Sequence, residues 1–206
     1  MADFDKDYWE DQWATGASHS ERRLPVNPYL ITEAAHLTAG TALDAGCGTG
    51  TEAFWLAEQG WVVTAADISS TALAKARARA AVEDAGEHIE WVEADLARWE
   101  PERKWDLVVT NYAHAQIGQL PLYRRIASWV AVGGTILIVG HLHNHHQDSH
   151  GDDHPHGATA TLEAIMNVFS SSEWRIGAAY EHSRTVHPGG APMHLRDVIV
   201  RAHRLT

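Results

Sequence analysis

Residues 41–51 read Thr41-Ala-Leu-Asp-Ala-Gly46-Cys-Gly48-Thr-Gly50-Thr51, and this stretch decides the fold. A short apolar run leads directly into three glycines, and a segment with a helical pattern begins at Thr51. Glycines permit positive φ angles and have no Cβ to obstruct a ligand, while the N–H groups at a helix start attract anionic groups. A strand, a glycine turn and a helix in this order predict a ligand-binding βα unit.

The spacing of the glycines argues against a nicotinamide dinucleotide. The dinucleotide fingerprint G-x-G-x-x-G requires a glycine at position 51, where this chain has Thr51 and instead reads G-x-G-x-G. A glycine turn can also serve only to pack a helix close to a strand. The triplet alone therefore leaves both a cofactor site and a purely structural turn open.

Apolar runs alternate with helical patterns from residue 41 onward, which is typical of βαβ units and a parallel sheet. The last third predicts two further strands, joined through His187–Pro192 as a hairpin at the sheet edge. The predicted strands are Thr41–Ala45, Trp61–Ala66, Ile89–Ala94, Asp106–Thr110, Thr135–Gly140, Trp174–Glu181 and Asp197–His203. The predicted helices are Thr51–Gln59, Thr71–Ala85, Leu122–Val130 and Ala158–Phe169, with Gly60 and Gly86 as C-terminal caps of the first two.

Two aspartates follow the second and third predicted strands. Asp67 lies about twenty residues beyond the glycines, where a carboxylate can bind both hydroxyls of a ribose. Asp95 is placed to accept a hydrogen bond from an adenine amino group. Either side chain could instead cap a helix or form a turn. Three such features at the carboxyl ends of successive strands favour a ligand site, because open α/β sheets bind ligands at that edge.

The order and spacing of these motifs resemble the class I S-adenosylmethionine-dependent methyltransferases over nearly the whole chain. The opening Tyr8-Trp9-Glu-Asp-Gln-Trp13 is similar to that of the small tellurite-resistance and thiopurine methyltransferase types. The resemblance implies a Rossmann-like, doubly wound α/β fold with a mostly parallel seven-stranded sheet and an antiparallel last strand. The segments that carry it are Leu43–Gly50, Asp67–Ser69, Glu93–Leu96, Asp106–Asn111 and Gly133–Ile138.

The same resemblance implies S-adenosyl-L-methionine as cofactor and an assignment of its binding residues. Gly46, Cys47 and Gly48 would lie along the methionine part, and Asp44 would order the loop. The remaining residues implied for the cofactor site are Tyr8 and Trp13 as cover, Asp67, Ile68 and Ser69 near the ribose, Asp95 and Leu96 near the adenine, and Asn111 as lining. The two aromatic residues could equally well only anchor an N-terminal helix to the core.

Methyl transfer is an in-line displacement that needs alignment and exclusion of water more than catalytic side chains. A hydroxyl or protonated amine acceptor benefits from a general base, whereas a thiol is already partly ionised. His114 follows the fourth predicted strand, close to the expected methyl position, and is the candidate catalytic base. The alternative is that His114 only packs or hydrogen-bonds within its loop.

A histidine-rich segment follows the fifth predicted strand. His141 and His143 would share one face of an extended strand, and with His145 and His146 they are candidate ligands for Zn²⁺ or Ni²⁺. The spacing matches no known ligand pattern, so a solvated loop over the substrate pocket or a pH-responsive lid remain alternatives. The chain is therefore predicted to be a methyltransferase enzyme acting on a small molecule, with a metal-binding or metal-responsive protein on the same scaffold as the alternative.

Length and composition predict one domain over residues 1–206, with cap helices in residues 1–40 and the histidine-rich loop in residues 141–157. The formal net charge is −11, which disfavours binding to a nucleic-acid backbone. No apolar run is long enough to cross a membrane, and Cys47 is the only cysteine. We therefore expect a cytoplasmic protein with a small-molecule acceptor and no nucleic-acid or membrane partner. The sequence does not identify the acceptor atom or the oligomeric state.

Overall fold

The structure, a computed structural model, describes residues 4–15, 25–83, 88–142, 159–186 and 193–206. It contains one mixed sheet with helices on both faces. The strands are β1 Thr41–Ala45, β2 Val62–Asp67, β3 Ile89–Glu93, β4 Trp105–Asn111, β5 Val130–Leu142, β6 Thr159–Ala160, β7 Trp174–Val186 and β8 Met193–Arg204. The helices are α1 Lys6–Ala14, α2 Pro28–Ala34, α3 Thr51–Glu58, α4 Ser70–Glu83, α5 Gln119–Ala127 and α6 Leu162–Val168.

The strand order is β3-β2-β1-β4-β5-β8-β7, with β6 paired only to β5. β1 to β5 are parallel, whereas β8 runs antiparallel to both β5 and β7. The chain reverses its direction of progress across the sheet between β1 and β4, which is where doubly wound folds bind ligands. The predicted α/β fold class is confirmed, including the antiparallel last strand and the edge hairpin. The two-residue β6 was not predicted.

The central strands form because their side chains are buried on both faces. Ile136, Leu137, Ile138 and Val139 of β5 are almost fully buried, as expected where helices cover both sides of a parallel sheet. One apolar cluster contains α5 and α6, and the other contains α2, α3 and α4. The core therefore lies in two layers, one on each face of the sheet.

The prediction around residues 119–134 was wrong at both ends of the helix. α5 spans Gln119–Ala127, not Leu122–Val130, and Val130 is already the first residue of β5. Gly118, with φ +80°, directly precedes α5. The register of β5 against β4 shifts near this start, so β5 pairs early and then continues past Gly133 and Gly134. An apolar run shared by a helix end and a strand start does not reveal its boundary.

The N-terminal region contributes two helices to the carboxyl edge and to one face of the sheet. α1 packs against α4, and α2 packs against β5. None of the described helices is long and apolar enough to cross a membrane. The assignment of all 206 residues to one domain stays a prediction, since parts of the cap and most of the histidine-rich loop lie outside the described residues.

Candidate active site

The glycine turn exposes bare backbone between β1 and α3. Gly46, Gly48 and Gly50 have φ angles of +83°, +52° and +79°, which glycine adopts without the strain that a side chain would bring. Other residues approach this backbone closely: a Cβ on Gly46 would lie 2.5 Å from the Cβ of Ala113, and a Cβ on Gly48 would lie 2.8 Å from the Trp13 ring. The turn therefore tolerates glycine alone at these positions.

Asp67 at the end of β2 organises the turn. One carboxylate oxygen accepts a hydrogen bond of 2.8 Å from the Gly48 N–H, and the other accepts one of 2.9 Å from the Ser69 N–H. Burial raises the pKa of this carboxyl group, although those backbone donors act in the opposite direction. A carboxylate has lone pairs for further donors beyond these two. Asp67 thus forms a turn, which the sequence analysis gave as the alternative to ribose binding. Its oxygens can still accept further hydrogen bonds from a ligand.

Asp44 lies beneath the turn and is incompletely satisfied. It is 1% exposed, and its Oδ2 atom has no hydrogen-bond partner within the described part of the chain. Burial and the neighbouring charges of Glu52 and Asp67 raise its pKa well above the ordinary range. Burial also raises the pKa of Glu52. Three carboxyl groups therefore surround the turn, and a buried acceptor without a partner costs free energy until a donor arrives.

A cavity of about 430 Å³ lies beside the end of β3. Ile68 and Asp95 line it together with residues from the beginning of α1 and with Gln116. Asp95 also forms a turn, because its Oδ1 atom accepts a hydrogen bond of 2.9 Å from the Ala97 N–H. Leu96 is buried against the core. The structure thus brings Ile68, a candidate ribose residue, and Asp95, a candidate adenine residue, to one opening.

The remaining candidate cofactor residues differ in whether their side chain or only their backbone faces the glycine turn. Trp13 covers Gly48, whereas the Tyr8 ring packs edge-on against Trp9. Cys47 is buried in the core, and burial raises the pKa of its thiol well above the ordinary value, so only its backbone faces the turn. The Ser69 hydroxyl accepts a hydrogen bond from the Ala72 N–H and caps α4.

Helix α1 is held over the carboxyl edge by polar contacts with α4. The Glu10 carboxylate accepts hydrogen bonds from the Ser70 and Thr71 N–H groups at 2.7 and 3.2 Å, and from the Ser70 hydroxyl at 2.8 Å. Burial alone would raise the Glu10 pKa, but these hydrogen bonds lower it to about 2. Lys75 donates to the Trp13 carbonyl at 2.8 Å, and Lys6 pairs with Glu93.

His114 lies in the loop after β4 and is oriented by Gln119. Gln119 Nε2 donates to the Ala113 carbonyl and to the Tyr123 hydroxyl, both at 2.8 Å, so its Oε1 atom faces His114 Nδ1 at 3.0 Å. His114 Nδ1 must therefore carry the proton, and the neutral ring has its basic nitrogen at Nε2. A histidine held in one tautomer by a third group has the geometry of a general base.

An aromatic wall surrounds His114. Phe4 lies 5.3 Å away between ring centroids, Trp9 stacks at 6.3 Å, and His141 stacks at 5.9 Å on the same ring. Tyr112 in turn stacks on His141 at 4.5 Å. The wall therefore continues from α1 across the loop after β4 to the end of β5.

Asn111 at the end of β4 has both polar atoms of its side-chain amide buried without a partner among the described residues. The amide nitrogen is a donor and the amide oxygen an acceptor. The preceding residue, Thr110, also has a buried hydroxyl group without a partner among the described residues. Such a pair is costly unless a ligand satisfies it. Its position beside the glycine turn supports the predicted contact with the cofactor.

Of the proposed metal ligands, only His141 lies in the described residues, where it belongs to the aromatic wall. His143, His145 and His146 lie outside them. Within the described ranges, no group of three or more histidine, cysteine, aspartate or glutamate residues could hold a metal ion. The metal site therefore stays a prediction.

Sequence reasoning missed several residues of this edge. Gln119 was missed because the predicted helix began at Leu122, which placed Gln119 outside any element. Phe4, which precedes α1, was missed, and Trp9 was named only as part of the aromatic opening, because aromatic residues near the start of the chain give no signal of what they face. Arg184 on β7 and Asp197 on β8 both hydrogen-bond to the Tyr112 hydroxyl, and they were missed because they lie on the hairpin, far along the chain from β4.

Parts of the chain are similar in sequence to known proteins. Residues 42–134 match a family model described as a methyltransferase domain. A probable thiol methyltransferase 2 of Arabidopsis thaliana is 29% identical over 136 residues, which cover 64% of this chain and 60% of that protein. Thiocyanate methyltransferase 1 of the same plant is 31% identical over 103 residues, which cover 48% and 43%. The chain thus spans about half the length of these curated relatives.

Solved structures share the fold across almost the whole chain. TehB from Haemophilus influenzae has a TM-score of 0.72 at 18% identity, covering 97% of this chain and 66% of TehB. The magnesium protoporphyrin IX methyltransferase ChlM from Synechocystis PCC 6803, solved with bound SAH, has a TM-score of 0.68 at 17% identity. That match covers 97% of this chain and 100% of ChlM.

Proposed function

We propose that this chain, which carries a methyltransferase domain and the fold of the class I S-adenosylmethionine-dependent methyltransferases, transfers a methyl group from that cofactor to a small molecule. The observation that carries the proposal is the acidic cluster around the glycine turn. The carboxyl groups of Asp44, Glu52 and Asp67 lie around the exposed backbone of the turn, and one buried Asp44 oxygen has no hydrogen-bond donor among the described residues.

The residues present fit the chemistry of this cofactor. S-adenosylmethionine carries a sulfonium and an ammonium group, and buried carboxyl groups with raised pKa values, such as those of Asp44 and Asp67, favour such charges. When bound, it supplies an electrophilic methyl carbon. In this assignment Asp67 accepts from the ribose and Asp95 with Leu96 lines the adenine. Asp44 and the backbone at 46–48 hold the methionine part, and Trp13 excludes water.

We infer that the acceptor is a small, soft nucleophile of the thiol or thiocyanate type. The two plant relatives are named for these acceptors. The aromatic wall around His114, which includes Phe4 and Trp9, supports the inference, because polarizable sulfur makes favourable contacts with aromatic rings. His114 Nε2 would remove the proton from a protonated thiol, while Gln119 keeps the ring in the required tautomer.

The net charge of −11 supports a small acceptor over a nucleic acid, and the single buried cysteine supports a reducing compartment such as the cytoplasm. The alternative function through a metal at the histidine-rich segment has no supporting observation within the described ranges. Turnover that is indifferent to a chelator would favour the methyltransferase function over this alternative.

Calorimetric titration of the purified protein with S-adenosylmethionine and its demethylated product tests the cofactor. We expect micromolar binding of both, unchanged after chelation. Asp67→Ala should weaken binding by about tenfold or more, because a buried hydrogen bond to a charged group contributes about 1.5–3 kcal/mol. Asp106→Ala is the matched control. Like Asp67, Asp106 accepts two hydrogen bonds, in its case both from Thr41, but it lies at the opposite edge of the sheet.

A panel of thiocyanate, small thiols, phenols and amines then tests the acceptor class, with the methylated product measured by mass spectrometry. Absence of cofactor binding would refute the methyltransferase function. Binding that appears only with metal present would favour the metal-dependent alternative. Turnover of amines but not of sulfur acceptors would retain the activity and refute the acceptor class.

A further inference from the structure

A buried carboxylate joins the edge hairpin to the active edge. Asp197 on β8 is fully buried. Its Oδ1 atom accepts a hydrogen bond of 2.9 Å from the Tyr112 hydroxyl. Its Oδ2 atom accepts one of 2.9 Å from the Tyr29 hydroxyl and one of 2.8 Å from Arg184 Nε. A single carboxylate therefore ties β8 to α2, β7 and the loop after β4.

The hydroxyl groups of this network are used in both directions. Arg184 Nη2 donates to the Tyr112 oxygen at 3.0 Å, so this hydroxyl accepts from Arg184 and donates to Asp197. The Tyr29 hydroxyl donates to Asp197 and lies 2.9 Å from His182 Nδ1, which must therefore carry the proton. Since each hydroxyl group donates its one proton to Asp197, neither can donate a hydrogen bond to a ligand, and the network acts by holding its members in place.

The member nearest the reaction is Tyr112. It has φ +54°, an uncommon conformation for a residue with a side chain, which costs about 1–2 kcal/mol. This conformation brings the next residue, Ala113, against Gly46, and the following residue, His114, lies against the rings of Phe4 and Trp9. The Tyr112 ring also stacks on His141, which pairs with Asp197 in the sheet. Strain of this kind persists only where surrounding contacts enforce it.

We propose that Asp197 and Arg184 are positioning residues for methyl transfer, which hold Tyr112 so that its ring and the following loop shape the acceptor side of the site. The inference rests on the proposed methyltransferase function. It assigns an active-edge role to two residues of a hairpin that supplies none of the candidate cofactor residues. Asp197 and Arg184 act on the acceptor through Tyr112, His141 and the backbone at 113–114.

Tyr112→Phe tests this role with the smallest change, because it removes the hydroxyl and retains the ring. With thiocyanate and thiophenol as acceptors, we expect kcat/KM to fall about tenfold while affinity for the demethylated cofactor stays within about twofold. Tyr180→Phe is the matched control, since its hydroxyl also joins the hairpin to α2, through Glu33 at 2.9 Å, without touching the loop. Tyr180→Phe should retain wild-type kinetics.

Asp197→Asn combined with Arg184→Gln removes both charges together and avoids leaving one buried charge unpaired. We expect the same selective loss in this double variant. A second readout needs no acceptor: the His141 ring resonance in NMR, assigned by its loss in His141→Gln, reports the stacked Tyr112 ring. It should shift in Tyr112→Phe and in the double variant but not in Tyr180→Phe.

The outcomes separate the two proposals. A wild-type protein that binds no cofactor would refute the methyltransferase function. A wild-type protein that binds it, with Tyr112→Phe and the double variant both retaining the His141 resonance and acceptor kinetics, would overturn the positioning role alone. Equal losses in Tyr112→Phe and Tyr180→Phe would also overturn it, because they would show a general effect on hairpin stability.

Discussion

At the scale of single residues, His114 and Gln119 form the pair most directly suited to proton transfer. The Gln119 amide is held by two acceptors on one side, and its oxygen faces His114 Nδ1. The tautomer follows from this chain of hydrogen bonds and not from the histidine itself. A base is needed only when the acceptor carries a proton.

This distinction predicts a split between acceptors. His114→Asn should lower kcat/KM about 100-fold or more for a protonated alkyl thiol near neutral pH, and only a few-fold for thiocyanate, which is already an anion. Steady-state assays with both acceptors check the prediction, and His88→Asn, at the exposed residue directly before β3, is the control. An equal loss with both acceptors would assign His114 to packing alone.

At the scale of elements, docking of α1 closes the carboxyl edge. Glu10 satisfies two backbone N–H groups at the beginning of α4, and Trp13, one turn further along α1, covers Gly48. The contact therefore joins helix capping to coverage of the glycine turn. Loosening α1 should expose that turn without disturbing the sheet.

Glu10→Ala should thus weaken binding of the demethylated cofactor about fivefold, since losing a capping acceptor costs about 1 kcal/mol. The Glu10 pKa is lowered from 4.5 to about 2, so its contribution is complete above pH 4.5 and is lost only as the pH falls toward 2. Calorimetry at pH 7 checks the affinity. Asp11→Ala, on an exposed position of the same helix, should bind as the wild type does; equal affinity of all three proteins would contradict the coupling.

At the scale of the whole molecule, the acidic cluster opposes folding of the free protein. The pKa values of Asp44, Glu52 and Asp67 are all raised by burial. A carboxyl group with a raised folded-state pKa contributes full stability below its unfolded pKa, and that contribution is lost as the pH rises through the folded value. A bound cationic ligand would restore the stability that the folded protein loses when these carboxyl groups ionise.

Asp44→Asn should therefore stabilise the free protein increasingly as the pH rises above the ordinary aspartate pKa of 3.8, by about 3 °C in Tm for each 1 kcal/mol relieved. The same variant should bind S-adenosylmethionine about tenfold or more weakly, because it loses a charged acceptor. Thermal unfolding with and without cofactor measures both effects, with Asp106→Asn as control. A stabilisation that shrinks as the pH rises would show that Asp44 is not the group under electrostatic strain.

The sequence alone was enough to predict the order of the strands from β1 to β5, β7 and β8, and it indicated which edge of the sheet would bind a ligand. β1 matches its predicted span, and the glycines at 46, 48 and 50 adopt the positive φ angles that their spacing indicated. This was possible because periodic burial and glycine conformations are local properties, written within a few neighbouring residues. Boundaries failed where the local signal is ambiguous, as at Val130.

Only the tertiary structure decided which side chains meet at that edge. Glu10 reaches Ser70 and Asp197 reaches Tyr112 across 60 and 85 positions of sequence, and the register of β8 against β5 sets the second contact. A shift of one residue in that register would turn Asp197 to the other face of the sheet. Contacts of this kind depend on how elements pack in space, which no local pattern encodes. The contacts within the acidic cluster, the contact between Gln119 and His114, and the hydrogen bonds around Asp197 therefore became visible only in the fold.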